Sequence, residues 1–259
     1  MTIGYLVTEA ESVWLGTATG RVVPGHALAV DAETGFGLVQ ALGALELPAL
    51  ALGNSDAANV GDPAIVAAGG QRQFISAQII GKQPFAGYWE YALDEAIFTA
   101  PAHPFWGGAG LIGADGKLIG VGSLHVEQRV ESGQSRDMNM IVPINLLPPI
   151  LDELLRFGRR NKPARPWLGV YSAESEGEIV IGDVSERGPA SQAGLRRGDV
   201  IASVGGTSVA DLGEFYRAVW KCGSAGVEIP LEIQRDGRIF TMRVQSADRT
   251  TYLKKPRLQ

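Results

Sequence analysis

The first half of the chain alternates short apolar stretches with glycine, aspartate and asparagine. Apolar side chains recur at every second position, or in brief runs, over 22–30, 36–41, 64–68, 74–80, 96–99, 118–121 and 138–142. Spacing of two puts one face of each stretch into a core, and the turn formers stop each strand early. Many short strands at this spacing predict a β-sandwich or barrel. The periodicity then changes. Ile150, Leu151, Leu154 and Leu155 recur at helical spacing, and Gly158 follows where a helix end takes a left-handed residue. Arg159-Arg160-Asn161-Lys162-Pro163-Ala164-Arg165-Pro166 is basic and punctuated by proline, so it cannot continue that helix. Beyond it, strands are expected over 179–181, 200–202, 229–233 and 240–244, interrupted by helices over 189–193 and 211–221, which makes a small α+β module. The expected organisation is a first domain over 1–158, a linker over 159–166, a second domain over 167–247 and a tail over 248–259.

The 259 residues suffice for two cores. A hydrophobic share of 45% and a charged share of 20% are ordinary for a folded protein and exclude a disordered chain. A net charge of -5 argues against nucleic acid as a partner, since phosphate binding needs a basic excess. The basic tail Lys254-Lys255-Pro256-Arg257 is too short to change that and is expected to be solvated. No apolar run approaches the ~18 residues of a membrane span, so none is expected. Met1-Thr2-Ile3-Gly4 has neither the basic start nor the apolar core of a signal peptide, which places the chain in the cytoplasm if Met1 is the native start.

Candidate chemistry narrows further. Cys222 is the single cysteine, which excludes an internal disulfide and a cysteine metal cluster, and three scattered histidines give no zinc spacing. No metal and no cofactor are expected. Gly108-Ala109-Gly110-Leu111-Ile112-Gly113 fits the dinucleotide pattern G-x-G-x-x-G, but the turn Ala114-Asp115-Gly116 and another strand follow it where a helix is required.

Two longer motifs carry a family resemblance. Gly188-Pro189-Ala190-Ser191-Gln192-Ala193-Gly194-Leu195-Arg196-Arg197-Gly198-Asp199-Val200-Ile201 reads as helix, turn and strand: Pro189 suits a first helical turn, Gly194 a left-handed end, and Gly198-Asp199 a turn. With Trp167-Leu168-Gly169-Val170 before it and the turn Gln234-Arg235-Asp236-Gly237-Arg238 after it, this stretch resembles the PDZ domain of the HtrA group of bacterial proteases. The first domain resembles the trypsin-like domain of the same group. Residues 52–67 are similar to its interbarrel segment, 109–120 to the hairpin after its nucleophile, and Val142-Pro143-Ile144-Asn145 to its last strand. The implied fold is mostly β: a chymotrypsin-like double β-barrel followed by a small α+β PDZ domain.

The resemblance lets each catalytic position be inspected. In active relatives the nucleophile lies in a Gly-Asn-Ser-Gly-Gly turn, whose first glycine and serine donate N–H groups to the oxyanion. Here the turn reads Phe105-Trp106-Gly107-Gly108-Ala109, so Gly107 replaces the serine. Phe105 stands where a glycine's backbone freedom is usual, which alters the oxyanion loop together with Trp106. Gly35 stands at the position of the histidine-orienting aspartate, and Glu11 or a neighbour at that of the histidine. With every triad member replaced, serine proteolysis is not expected. The segment up to Leu42 holds about four strands where a first barrel needs about six, so that barrel is expected to be incomplete. Its unpaired edges point to a homo-oligomer, or a hetero-oligomer with an active relative.

In PDZ domains of this group, the loop similar to Trp167-Leu168-Gly169-Val170 offers backbone N–H groups to a peptide's terminal carboxylate, and the strand after it pairs with the peptide. Leu168 and Val170 would line the pocket for the last side chain, with Leu212 and Tyr216 on the opposite helix and Phe215 and Val219 in the core. The expected function is that of a catalytically inactive HtrA-like protein that binds extended or C-terminal peptides, in a regulatory or scaffolding role. Two alternatives stay open: an active or conditionally active endopeptidase completed by upstream sequence or a partner subunit, and a structural assembly protein with an unused groove. The resemblance also implies a bacterial periplasm or cell envelope.

Overall fold

The computed structural model describes residues 1–69, 74–129 and 135–254. The last five residues of the expected tail lie outside the described residues. The chain divides into two units: Met1–Gln83 with Asp94–Asn161, and Pro84–Leu93 with Lys162–Lys254. The changeover from Asn161 to Lys162 falls within the basic, proline-bearing stretch. The short segment Pro84–Leu93, which the strand pattern assigns to the first domain, groups with the second.

The first unit opens with an antiparallel sheet of four strands, β1 (Thr2–Ile3), β2 (Val13–Gly16), β3 (Val22–Val30) and β4 (Phe36–Ala41), ordered β1-β4-β3-β2. This sheet does not close, and β1 and β2 are its edges. Six further strands do close: β5 (Pro63–Ala67), β6 (Phe74–Gly87), β7 (Tyr91–Ala100), β8 (Gly110–Ile112), β9 (Leu118–Arg129) and β10 (Ser135–Pro143) form a barrel in the order β10-β7-β6-β5-β8-β9. Val66, Ile79, Ile97, Leu111, Ile119 and Ile141 form the buried barrel core. Alternation is clear at Val66 and Leu111, whose chain neighbours are exposed or half-buried, whereas Ala96, Phe98, Met140 and Val142 beside Ile97 and Ile141 are buried as well. Helix α1 (Pro148–Phe157) begins with proline, buries Ile150 and Leu154 four residues apart, and ends at Gly158 with φ 68°.

The second unit is built on a sheet of β11 (Val170–Ser175), β12 (Glu178–Val184), β13 (Val200–Val204), β15 (Glu228–Arg235) and β16 (Arg238–Gln245), in that order, with β14 (Thr207–Ser208) paired to β13. Helix α2 (Pro189–Ala193) ends at Gly194 with φ 88°, and α3 (Leu212–Lys221) is capped by Asp211, whose Oδ1 accepts from the Glu214 N–H at 2.7 Å. Leu168, Ile179, Ile181, Phe215, Ile229, Leu231, Ile233 and Val244 form one buried cluster. Asp199 is almost fully buried and accepts from Arg235 Nε at 2.6 Å and Nη2 at 2.7 Å. This two-pronged ion pair fixes the turn after α2 against β15. Trp167 and Ala247 exchange two backbone hydrogen bonds, joining the start and end of the module.

Strands β6 and β7 run beyond the stretches expected at 74–80 and 96–99. Residues between them, among them Lys82, Gln83, Pro84, Asp94 and Glu95, break the apolar alternation, so the sequence gives no local reason to extend the hairpin. Its tip finds its apolar partners at a separation of about 80 residues or more, in the second unit, where Ala86 and Ala92 pack on the main cluster.

Candidate functional site

The turn at Gly107 is closely packed and has no side-chain hydroxyl at that position. Gly122 on β9 makes the close fit: its N–H donates to Ala109 O at 2.6 Å, its carbonyl accepts from the Gly108 N–H at 2.9 Å, and a Cβ there would lie 2.1 Å from Trp106 O. Only glycine permits that approach. A Cβ added at Gly107 would meet Tyr5 Oη at 3.1 Å and Leu6 Cδ1 at 3.5 Å. The side chains that face the missing hydroxyl are thus those of Tyr5 and Leu6, on the 3-10 turn after β1. Tyr5 donates to the Ser123 carbonyl at 2.6 Å. Glu11 is exposed, and it is not among the nearest neighbours of Gly107.

Gly35 is a turn residue. Its φ is 84°, its N–H donates to Asp31 O at 2.8 Å, and its carbonyl accepts from the Gly4 N–H at 2.7 Å. The buried carboxylate of Asp31, four residues earlier, is occupied by the Thr34 N–H and hydroxyl. Gly35 brings no carboxylate, and the polar group nearest a Cβ at Gly107 is the Tyr5 phenol.

At Phe105, expected to alter an oxyanion loop, the backbone shows no strain. Phe105 avoids the left-handed region, is half exposed, and donates its N–H to His103 Nδ1 at 3.0 Å. His103 is fully buried, and its own N–H donates to Asn139 Oδ1 at 2.6 Å. The Phe105 amide is thus engaged by an internal histidine. Trp106 packs against His125, with ring centroids 5.3 Å apart.

The second site lies along β11, the edge strand of its sheet, opposite α3. The two walls are tied where the Leu212 N–H donates to Glu174 Oε1 at 2.8 Å. At one end, Gly169 takes φ 78°, and a Cβ there would sit 3.1 Å from the Trp167 ring, so the loop needs glycine. The Trp167 ring packs on Tyr252, 4.9 Å between centroids. The N–H groups of Leu168, Gly169 and Val170 converge, and all three point at one carboxylate: Glu90. Glu90 Oε1 accepts from Gly169 at 2.6 Å and Val170 at 3.0 Å, and Oε2 from Leu168 at 3.0 Å.

The rest of the groove is filled by the residues leading to Glu90. Tyr88 O accepts from the Ser172 N–H of β11 at 2.9 Å, and Gly87 O from the Tyr216 hydroxyl of α3 at 2.9 Å. Tyr88 thus lies beside Ser172 of β11, and the Glu90 side chain beside the loop that precedes it. The Tyr88 ring lies 6.1 Å from that of Tyr171, and Trp89 stacks on Tyr91 at 5.8 Å. With this cover in place, Leu168, Val170, Leu212 and Tyr216, expected to line the peptide pocket, are buried in the core together with Phe215 and Val219. Burial pushes the Glu90 carboxyl up to about 7, against the opposing pull of the three N–H donors and Arg249. Burial also raises the Tyr216 phenol.

Sequence reasoning missed Glu90 and Tyr88. The available signal was aromatic density: Phe85, Tyr88, Trp89 and Tyr91 fall within seven residues. Nothing local connects that run to a loop about 80 residues away.

The fold defines the class, a trypsin-like domain followed by a PDZ domain. Matching family models describe a trypsin-like peptidase domain over residues 1–121 and a PDZ domain over residues 166–245. A relative from Chlamydia pneumoniae, named a probable periplasmic serine endoprotease DegP-like, is 26% identical over 94% of this chain and 51% of its own. The chloroplastic Protease Do-like 1 of Arabidopsis thaliana is 30% identical over 55% of this chain and 35% of its own. Among solved structures, the HtrA-type protease AlgW with decapeptide matches with a TM-score of 0.57 at 23% identity, over 99% of this chain and 79% of that one. The chain is therefore HtrA-like. It spans about half the length of the DegP-like relatives it matches. Among the described residues, no helix is long and apolar enough to cross a membrane.

Proposed function

We propose that this chain is a catalytically silent HtrA-like protein whose PDZ domain recognises extended or C-terminal peptides in a regulatory or scaffolding role. The observation that carries the reading is the surroundings of Gly107, where Tyr5 and Leu6 face a backbone without a hydroxyl. Gly35 and the diverted Phe105 N–H agree with it. Losing the nucleophile or the base alone forfeits roughly 10⁶-fold of rate in a serine protease. Purified protein is expected neither to cleave unfolded casein nor to react with a serine-directed fluorophosphonate. Covalent labelling of a defined residue sinks the reading.

Peptide recognition is supported by three backbone donors converging on a carboxylate beside an edge strand, the arrangement that captures a chain end. AlgW, similar in fold, is described with a decapeptide. Relatives named periplasmic favour the periplasm or cell envelope as the place of action. A second reading, a structural assembly protein with an unused groove, is favoured by the filling of that groove by residues 87–90. Peptide-array binding combined with light scattering separates the two.

A further inference from the structure

We propose that residues 87–90 are a built-in competitor for the PDZ groove, the Glu90 side chain standing in for a terminal carboxylate, so that an outside peptide binds only by displacing this segment. The inference rests on the peptide-binding reading above and adds to it a regulation and a ligand chemistry.

Three observations carry it. First, the contacts reproduce each element of peptide capture: a carboxylate on three convergent N–H groups, a main-chain bond to the edge strand, and a bond to the opposing helix. A segment that merely covered the groove would need only apolar contact. Second, the backbone is bent to deliver the carboxylate. Glu90 has φ 60°, a conformation that disfavours a long side chain, and Gly87 has no room for a Cβ, which would lie 2.7 Å from the Trp89 ring. A glycine or asparagine would satisfy such a turn at less strain, but neither carries a carboxylate. Third, Glu90 is buried, with 9% of its surface exposed, so its hydrogen bonds replace most of its hydration. An arriving chain end can take over those bonds only if Glu90 gives them up.

The resident segment also defines what competes with it: an extended peptide with small and aromatic residues, Ala86-Gly87-Tyr88-Trp89, ahead of a carboxylate. The probe is a fluorescein-labelled heptapeptide, Gln-Pro-Phe-Ala-Gly-Tyr-Trp, with a free C-terminus, and its C-terminal amide. Anisotropy is measured against the full chain and two variants. Glu90→Gly removes the carboxylate and suits the φ of the turn; Glu90→Gln keeps the shape but loses the charge. The Glu90→Gly variant is expected to bind the free acid at least tenfold more tightly than the wild type, with less than a threefold gain for the amide. Glu90→Gln is expected to fall between, and it provides the reading if circular dichroism finds Glu90→Gly unfolded. Equal affinity of wild type and both variants for the free acid overturns the competition while leaving peptide binding intact. So does an equal gain for acid and amide, which would reflect a loosened hairpin and not a vacated carboxylate site. Absence of binding by every form overturns the groove reading and the competitor with it.

Discussion

Glu90 meets opposing demands: three N–H donors and Arg249 favour its charge, and burial opposes it. Burial prevails, and the carboxyl rises from its ordinary 4.5 to about 7. The charged groups and hydroxyls around it are the Arg249 guanidinium and the Tyr216 phenol, along with the loop amides. A folded-state pKa above the unfolded value means that folding takes up a proton between pH 4.5 and 7. The resulting stability is fully present below about pH 4.5 and is lost as pH rises through about 7, a swing on the order of 3 kcal/mol. Urea unfolding of wild type and Glu90→Gln from pH 5 to 8 tests this. The wild type is expected to lose stability relative to the variant as pH rises; a constant difference would overturn the shift.

Among the elements, the PDZ module depends on the link between α2 and β15. Asp199 is buried with Arg235 on both its oxygens and the Arg196 N–H on Oδ2 at 2.8 Å. Asp199→Ala leaves the Arg235 Nε–H and the Arg196 N–H without their acceptor, Nη2 keeping only the Gly194 carbonyl, and is expected to destabilise the protein by about 3 kcal/mol, read from the urea midpoint. The motif around this turn was the most legible stretch of the sequence, because Pro189, Gly194 and Gly198-Asp199 each fix a local conformation. The helix 189–193 and the strands 22–30 and 36–41 were likewise readable to the residue, since alternation and turn glycines act over a few positions. The β6–β7 tip was not legible, because its partners lie in the loop Leu168–Gly169–Val170 and on α3. The same limit governed the histidine position. Counting along the chain led to Glu11, whereas the short 3-10 turn after β1 puts Tyr5 and Leu6 against Gly107.

For the molecule as a whole, the silent reading proposed above rests on three separate turns, each of whose groups has another partner. The 3-10 turn after β1 contributes a phenol bonded to Ser123, the β3–β4 turn a glycine bonded to Asp31 and Gly4, and the turn before β8 a glycine beside an amide directed at His103. Restoring one part therefore restores nothing. Gly107→Ser needs Tyr5 Oη to move only a few tenths of an ångström, so the variant is expected to fold. Its hydroxyl would face a phenol and an isobutyl group, neither of which accepts its proton at neutral pH, and it is expected to stay unlabelled by fluorophosphonate. The triple variant Tyr5→His, Gly35→Asp, Gly107→Ser supplies all three triad groups, yet Gly35→Asp forces φ 84° on a residue with a Cβ, costing about 1 to 3 kcal/mol. The Phe105 N–H would still point at His103, and one missing oxyanion donor costs 10²- to 10³-fold in rate. Casein cleavage by the triple variant is therefore expected to remain at least a hundredfold below that of an active relative. Adding Phe105→Gly, which frees the loop to turn its amide outward, is expected to raise it. Full activity in Gly107→Ser alone would mean that a base other than Tyr5 reaches the site.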